Sequence, residues 1–142
     1  MRRLAVDAGL ARIGIAISEG SLALPLDLVK NSDHAAAEIV ELAESRNVSV
    51  IYVGLPMSLS GSITASSLMA IDFGRRLASL STIPIRFIDE RLTTKSAQAQ
   101  LHQAGRNAKN SKSLIDSQAA ALILEFALAS ERDGTFAGKS LE

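Results

Sequence analysis

Residues 48–56 read VSVIYVGLP, an almost unbroken apolar run bounded by a proline. A strand exposed on one face alternates apolar and polar residues, whereas a continuous run must be covered on both faces. This run therefore calls for a sheet with helices packed on each side, and the rest of the chain has to supply them.

It does so in order. LAVDAG (4–9) and RIGIAIS (12–18) flank a glycine-bearing turn and read as an antiparallel hairpin. SLALPLDLV (21–29) is a third strand in which Pro25 argues for an edge position or an early end. Ser32 or Asp33 can cap a helix through AAAEIVELAES, with Ile39, Leu42 and Ala43 on its apolar face. After the run at 48–56 come a small-residue loop, MSLSGSITASS, and a helix over 66–80. IPIRFIDER (83–91) reads as a buried strand ending in charge, and Thr93 or Thr94 caps a helix through Leu101. A polar loop, AGRNAKNSKS, leads into a last helix beginning near Ser113. The expected fold is thus α/β, a mixed five-stranded sheet with its first three strands antiparallel and helices on both faces. At 142 residues there is room for one such domain, placed at 1–130, and the tail 131–142 is expected to be poorly ordered.

Composition excludes several classes. There is no cysteine, so disulfide scaffolds and thiolate metal sites are out, and a reducing compartment fits. No signal-peptide core stands at the start, and SQAAALILEFALAS is too short to span a bilayer. The expectation is a cytoplasmic protein with no membrane association. Formal charge is balanced, 15 basic against 15 acidic residues, but it is unevenly spread. From Arg91 to Ile115 there is no acid, while Arg91, Lys95, Arg106, Lys109 and Lys112 are basic. Such a stretch is either plain surface charge or a rim that contacts phosphates. With four Phe and one Tyr, an aromatic platform for stacking single-stranded bases is not evident. His34 and His102 have no partner at metal-ligand spacing.

Acids at three places in the chain stand out. Asp7 interrupts the first strand, where an aspartate is a poor former and has no capping duty. Asp89 and Glu90 close a later strand, and Asp116 falls about one turn into the last helix. Asp116 also suits an ordinary helix start, and Asp89-Glu90-Arg91 an ordinary solvated strand exit. Brought together by the fold, carboxylates are the hard oxygen ligands that Mg²⁺ or Mn²⁺ requires. Metal ions so held activate water and stabilise the leaving oxygen in phosphodiester cleavage.

Four blocks, VDAGLARIGIAISE (6–19), VGLPMSLSGS (53–62), IDERLTT (88–94) and IDSQAAALIL (115–124), together resemble the YqgF family, also called RuvX. They occur in the family's order and spacing and span nearly the whole chain. The resemblance implies an RNase H-like nuclease, a hydrolase tied both to Holliday junction resolution and to maturation of pre-16S rRNA in ribosome biogenesis. It implies catalytic and metal-binding roles for Asp7, Glu90 and Asp116, with Asp89 the alternative to Glu90, and Mg²⁺ or Mn²⁺ as cofactor. It also places Arg12 and the loop residues Gly54, Pro56 and Ser62 near nucleic acid, to which the acid-free stretch with Arg91, Lys95, Arg106, Lys109 and Lys112 would add a phosphate-contacting rim. Partners would be structured RNA or branched DNA and ribosomal precursor particles, met as a monomer or weak homodimer. A DNA-junction resolvase and a non-catalytic ribosome-assembly module are the alternatives. An actin-like ATPase is disfavoured because such enzymes clamp nucleotide between two domains of this kind. The chain departs from the family pattern at Ala11, where a lysine is usual, at Glu19 in place of aspartate, and at Ser60 and Ile63 in the loop.

Overall fold

The computed structural model describes residues 1–93, 112–132, 134 and 138–140, with the backbone alone for 112–116. Among these residues the sheet has seven strands in the order β3-β2-β1-β5-β6-β7, with β4 also paired to β2. The strands are β1 (Arg2–Ala8), β2 (Arg12–Glu19), β3 (Leu22–Pro25), β4 (Val29–Lys30), β5 (Val48–Leu55), β6 (Ile85–Asp89) and β7 (Lys139–Ser140). The helices are α1 (Ala35–Ser45), α2 (Ala65–Leu80) and α3 (Lys112–Arg132). β2 pairs antiparallel with both β1 and β3, β1 pairs parallel with β5, and β5 parallel with β6. The sheet is mixed, as expected.

Two more strands appear than the five anticipated, for local reasons. The run 21–29 breaks in two at a one-residue register shift against β2: Pro25 pairs with Ala16 and the Leu26 N–H still donates to the Ile15 carbonyl at 2.8 Å before the chain loops out. The chain regains β2 at Val29, opposite Ile13. At the other edge, Lys139 and Ser140 pair antiparallel with Phe87 and Arg86. That part of the expected disordered tail is therefore ordered as β7, and α3 runs on through Arg132. Gly138 makes the approach possible: its φ is +71°, and a Cβ there would lie 2.0 Å from the Phe87 carbonyl oxygen.

Strand alternation divides the core between two faces. Leu4, Val6, Ile13, Ile15, Ile17, Ile51, Val53 and Phe87 point to α1 and α2. Ala5, Ala16, Val50, Tyr52 and Ile88 point to α3, meeting Ala120, Ala121, Ile123, Leu124 and Ala127. Small residues on both sides of this second layer let α3 lie close to the sheet. β5 is buried from Ile51 to Gly54, confirming cover on both faces.

Caps fix the helix starts. Thr64 and Ser67 form a reciprocal capping box on α2, and the Ser67 hydroxyl also donates to the Pro56 carbonyl, tying the preceding loop to the helix. On α1 the N-cap is His34, without a side-chain cap bond, rather than Ser32 or Asp33. Ser32 instead accepts from the His34 N–H through its hydroxyl, at 3.2 Å. No helix among the described residues is long and apolar enough to cross a membrane.

Candidate active site

Asp7 shares the parity of Arg3 and Ala5 on β1 and so faces α3, one residue past the last β1–β5 pair, Val6 with Val53. Next to it on β5 is Gly54, on the same face as Val50 and Tyr52. Gly54 pairs with Ile88 of β6, and Glu90 follows two residues later. Asp7 and Glu90 thus stand at the C-terminal ends of two parallel strands with β5 between them, the usual position for chemistry in such sheets. Gly54 keeps the passage open: a Cβ on it would lie 2.7 Å from Glu90 Oε1 and 2.5 Å from Ile123 Cδ1.

The turn after β1 is braced on both sides. The Gly9 N–H donates to the Arg12 carbonyl at 3.0 Å, and a Cβ on Gly9 would lie 2.6 Å from that oxygen. The Asn31 side-chain amide donates to the Gly9 carbonyl at 2.7 Å, and its backbone N–H to the Ala11 carbonyl at 3.0 Å. Asn31 is a supporting residue that nothing in the sequence singled out, because it lies in a loop distant from Asp7.

The strand expected over 83–91 stops at Asp89, and Glu90–Leu92 form a 3₁₀ turn. Asp89 causes the break: its Oδ1 accepts from the Arg91 N–H at 2.9 Å, capping the turn. The same carboxylate takes the Arg91 guanidinium as a fork, Nη2 to Oδ2 at 2.6 Å and Nε to Oδ1 at 3.1 Å. Arg91 holds the Asp89 carboxyl below its ordinary range. Glu90 has the opposite fate. Burial, then the charge of Asp7, then a hydrogen bond with Asp7 push its carboxyl up to about 8. Asp7 and Glu90 titrate as a pair, and burial beside Asp7 favours the protonated form of Glu90. Of the two neighbouring acids, it is Glu90 that meets Asp7, while Asp89 is occupied with Arg91.

The loop residues behave differently from expectation in part. Gly54 faces Glu90, and the Pro56 carbonyl is taken by Ser67. The Ser62 N–H donates to Ser58 Oγ at 2.9 Å, leaving its hydroxyl exposed beside Ser60 Oγ at 3.2 Å. Arg91 fastens this loop by donating to the Leu59 carbonyl at 3.4 Å, beneath Gly61, whose φ of +87° a side chain would strain. Arg12 is exposed at the start of β2. Glu19 lies at the far end of that strand, paired with Arg2 at 2.7 Å, so the departure from the family pattern there is away from the site. Lys95, Arg106 and Lys109 lie outside the described residues, as does the helix expected through Leu101.

Asp116 and Lys112 lie in the first two turns of α3, and only their backbone is described. Asp116 shares a helical stripe with Ala120, Ile123 and Ala127, and Ile123 is the residue over Gly54. One residue on, buried Ser117 donates to the Leu26 carbonyl at 2.6 Å and moors this end of the helix. At its other end, Glu131 accepts from Arg3 Nε at 2.9 Å and from the Tyr52 hydroxyl. These two attachments fix α3 lengthwise across β2 and β1. No group of three or more metal-ligating side chains occurs among the described residues.

This combination defines an RNase H-like fold with an acid pair at the strand ends. The chain resembles Thermus thermophilus RuvC solved in complex with a Holliday junction substrate, with a TM-score of 0.62, 16% identity and 99% of each chain covered. A family model described as "RuvX: Holliday junction resolvase" matches residues 1–130, and the chain belongs to that family. Its relatives carry the name "Putative pre-16S rRNA nuclease". The protein of Clavibacter michiganensis subsp. michiganensis is 44% identical over 135 residues, covering 92% of this chain and 84% of the relative. That of Leifsonia xyli subsp. xyli is 42% identical over 134 residues, covering 92% and 86%. The chain is accordingly a nuclease, a hydrolase of nucleic acid.

Proposed function

We propose that this chain is a divalent-metal-dependent nuclease that cleaves structured RNA, acting in 5′-end maturation of pre-16S rRNA on ribosomal precursor particles. The observation that carries the reading is the Asp7–Glu90 pair, two carboxyl groups in hydrogen-bond contact past Gly54, the Glu90 carboxyl raised by burial and by Asp7. Acids kept in that state cost stability unless a cation replaces the proton, and their donor atoms are the hard oxygens that Mg²⁺ or Mn²⁺ prefers. Asp7, Glu90 and Asp116 would hold the ion. When bound, it lowers the pKa of a water and stabilises the leaving oxygen.

The remaining work falls to the chain. Gly54 lets Glu90 reach Asp7, Asn31 and Gly9 hold the turn beyond Asp7, and Asp89 aims Arg91 outward from the 3₁₀ turn. Arg12, Arg91, Lys95, Arg106, Lys109 and Lys112 contact phosphates, with the exposed Ser62 hydroxyl at the loop, so affinity falls as salt rises. The names of the relatives support rRNA as the substrate. The likeness to RuvC and the family's description favour a second reading, cleavage of four-way DNA junctions. That activity needs two sites related by a dyad.

Purified protein offered a pre-16S rRNA fragment and a four-way DNA junction in parallel separates the two. RNA cleavage that stops with EDTA and returns with Mg²⁺ or Mn²⁺ is the expected result. Preference for the junction, by a dimer, would transfer the site to DNA. Tight RNA binding with neither cleavage nor metal binding would reduce the protein to an assembly module.

A further inference from the structure

Beside the acid pair lies a cleft of about 500 Å³ that cleavage chemistry does not use. Leu55, Phe87, Phe126 and Ile63 form its apolar walls, and Arg91 and Lys139 its charged margin. It is built where the two layers of the core meet at the outer edge of β6, since Phe87 belongs to the α1–α2 side and Phe126 to the α3 side. β7 pairs only with Arg86 and Phe87. On that side the backbone of Ile88 and Asp89 therefore has no strand partner among the described residues, and it lies in the cleft wall.

Three features select an occupant. The first is position: Asp89 and Arg91, both lining the cleft, are the chain neighbours of Glu90. The second is charge. Arg91 neutralises Asp89, so Lys139 leaves the margin net positive, complementary to a phosphate. The third is the pair of aromatic side chains, Phe87 and Phe126, which offer faces for stacking. A cleft of this volume suits a small planar group and is too small for an approaching helix.

We propose that the cleft receives one unstacked nucleobase of the substrate strand, so that the protein selects an unpaired nucleotide beside the bond it cleaves. This rests on Asp7 and Glu90 marking the cleavage site. Ile63, 52% exposed on the β5–α2 loop, closes the cleft from above, and Lys139 meets the phosphate of the bound nucleotide.

The test is cleavage of an RNA hairpin with single-stranded flanks, each flanking nucleotide replaced in turn by an abasic residue. Wild type should lose about tenfold or more in kcat/KM at one position adjoining the cleaved bond. Ile63→Glu and Lys139→Ala should cleave intact RNA more slowly and show little further loss with the abasic residue at that position. Both side chains are exposed, and circular dichroism with thermal melting verifies that the variants fold. Equal cleavage of every abasic substrate by wild type, or an undiminished abasic penalty in both variants, overturns the proposal. So does a dimer that Ile63→Glu dissociates without changing the abasic profile, since the cleft would then seat a second copy. Should wild type cleave no RNA, the nuclease assignment to RNA fails separately. Fluorescence anisotropy with the same RNA series then decides the cleft: weaker binding of one abasic RNA supports it, and equal binding of all overturns it.

Discussion

Asp7 lies on β1 and Glu90 just past the end of β6, strands that do not pair with each other, yet their carboxyl groups share a hydrogen bond past Gly54 on the strand between them. The pair exists because β5 presents no side chain at that point. A methyl group on Gly54 would stand 2.7 Å from Glu90 Oε1.

Gly54→Ala is therefore predicted to displace Glu90 from Asp7 and press on Ile123. Overpacking of this kind costs about 1–3 kcal/mol, to be read by denaturant unfolding. Cleavage by the folded variant should fall as well, and a Gly54→Ala enzyme with full activity would show that the close approach is not needed.

The acid pair also makes the metal-free protein sensitive to pH. The Glu90 carboxyl titrates at about 8 in the folded chain against 4.5 for an ordinary glutamate. Between those values the native state keeps a proton that the unfolded chain has released. The contribution is fully present below 4.5 and is lost as pH rises through about 8. With chelator present, Tm should decline across that window, and Glu90→Gln, which cannot ionise, should flatten the decline.

The neighbouring acids are predicted to separate in function. Asp89→Asn loses the charge that holds Arg91, an exposed pair of small energetic value, and leaves the Asp7–Glu90 contact in place. Its cleavage rate should drop by about tenfold or less through misplaced phosphate contacts. Glu90→Gln should lose at least about a hundredfold. Equal losses in steady-state kinetics would mean that both carboxylates serve the same end.

At the opposite end of the sheet, Glu131 joins Arg3 and Tyr52 with side-chain exposure of only 17% and 12% for the ion pair. Burial and the bond to Glu131 raise the Tyr52 hydroxyl well above its ordinary value, so it stays a donor. Glu131→Ala removes the carboxylate that joins Arg3 and Tyr52 in this largely buried network and should cost about 3 kcal/mol. Tyr52→Phe should cost about 1 kcal/mol. Because this network is far along β1 from Asp7, the activity of the folded fraction should be unchanged in both.

The sequence revealed the layer order because its signals are local. The continuous run 48–56 demanded cover on both faces, and the hairpin, α2 and α3 followed from periodicity and turns. The acid in the middle of β1 was conspicuous because it broke a pattern. What stayed hidden depends on distant atoms. Nothing near Gly54 says that a glutamate from residue 90 will lie across it, and nothing near Asn31 points to Gly9. That Glu90 rather than Asp89 meets Asp7 depends on a 3₁₀ turn that Asp89 itself caps, which strand alternation alone does not foresee. β7 was missed because two residues pairing at an edge leave no pattern to read.

The central claim, that Asp7 and its partners form a metal-dependent cleavage site, is tested most directly by one comparison. Cleavage of a pre-16S rRNA fragment in Mg²⁺ is measured for wild type and for Asp7→Asn, both verified as folded. The substitution keeps the size of the side chain and removes its charge. A loss of about a thousandfold or more is predicted. Undiminished turnover by Asp7→Asn would contradict the account.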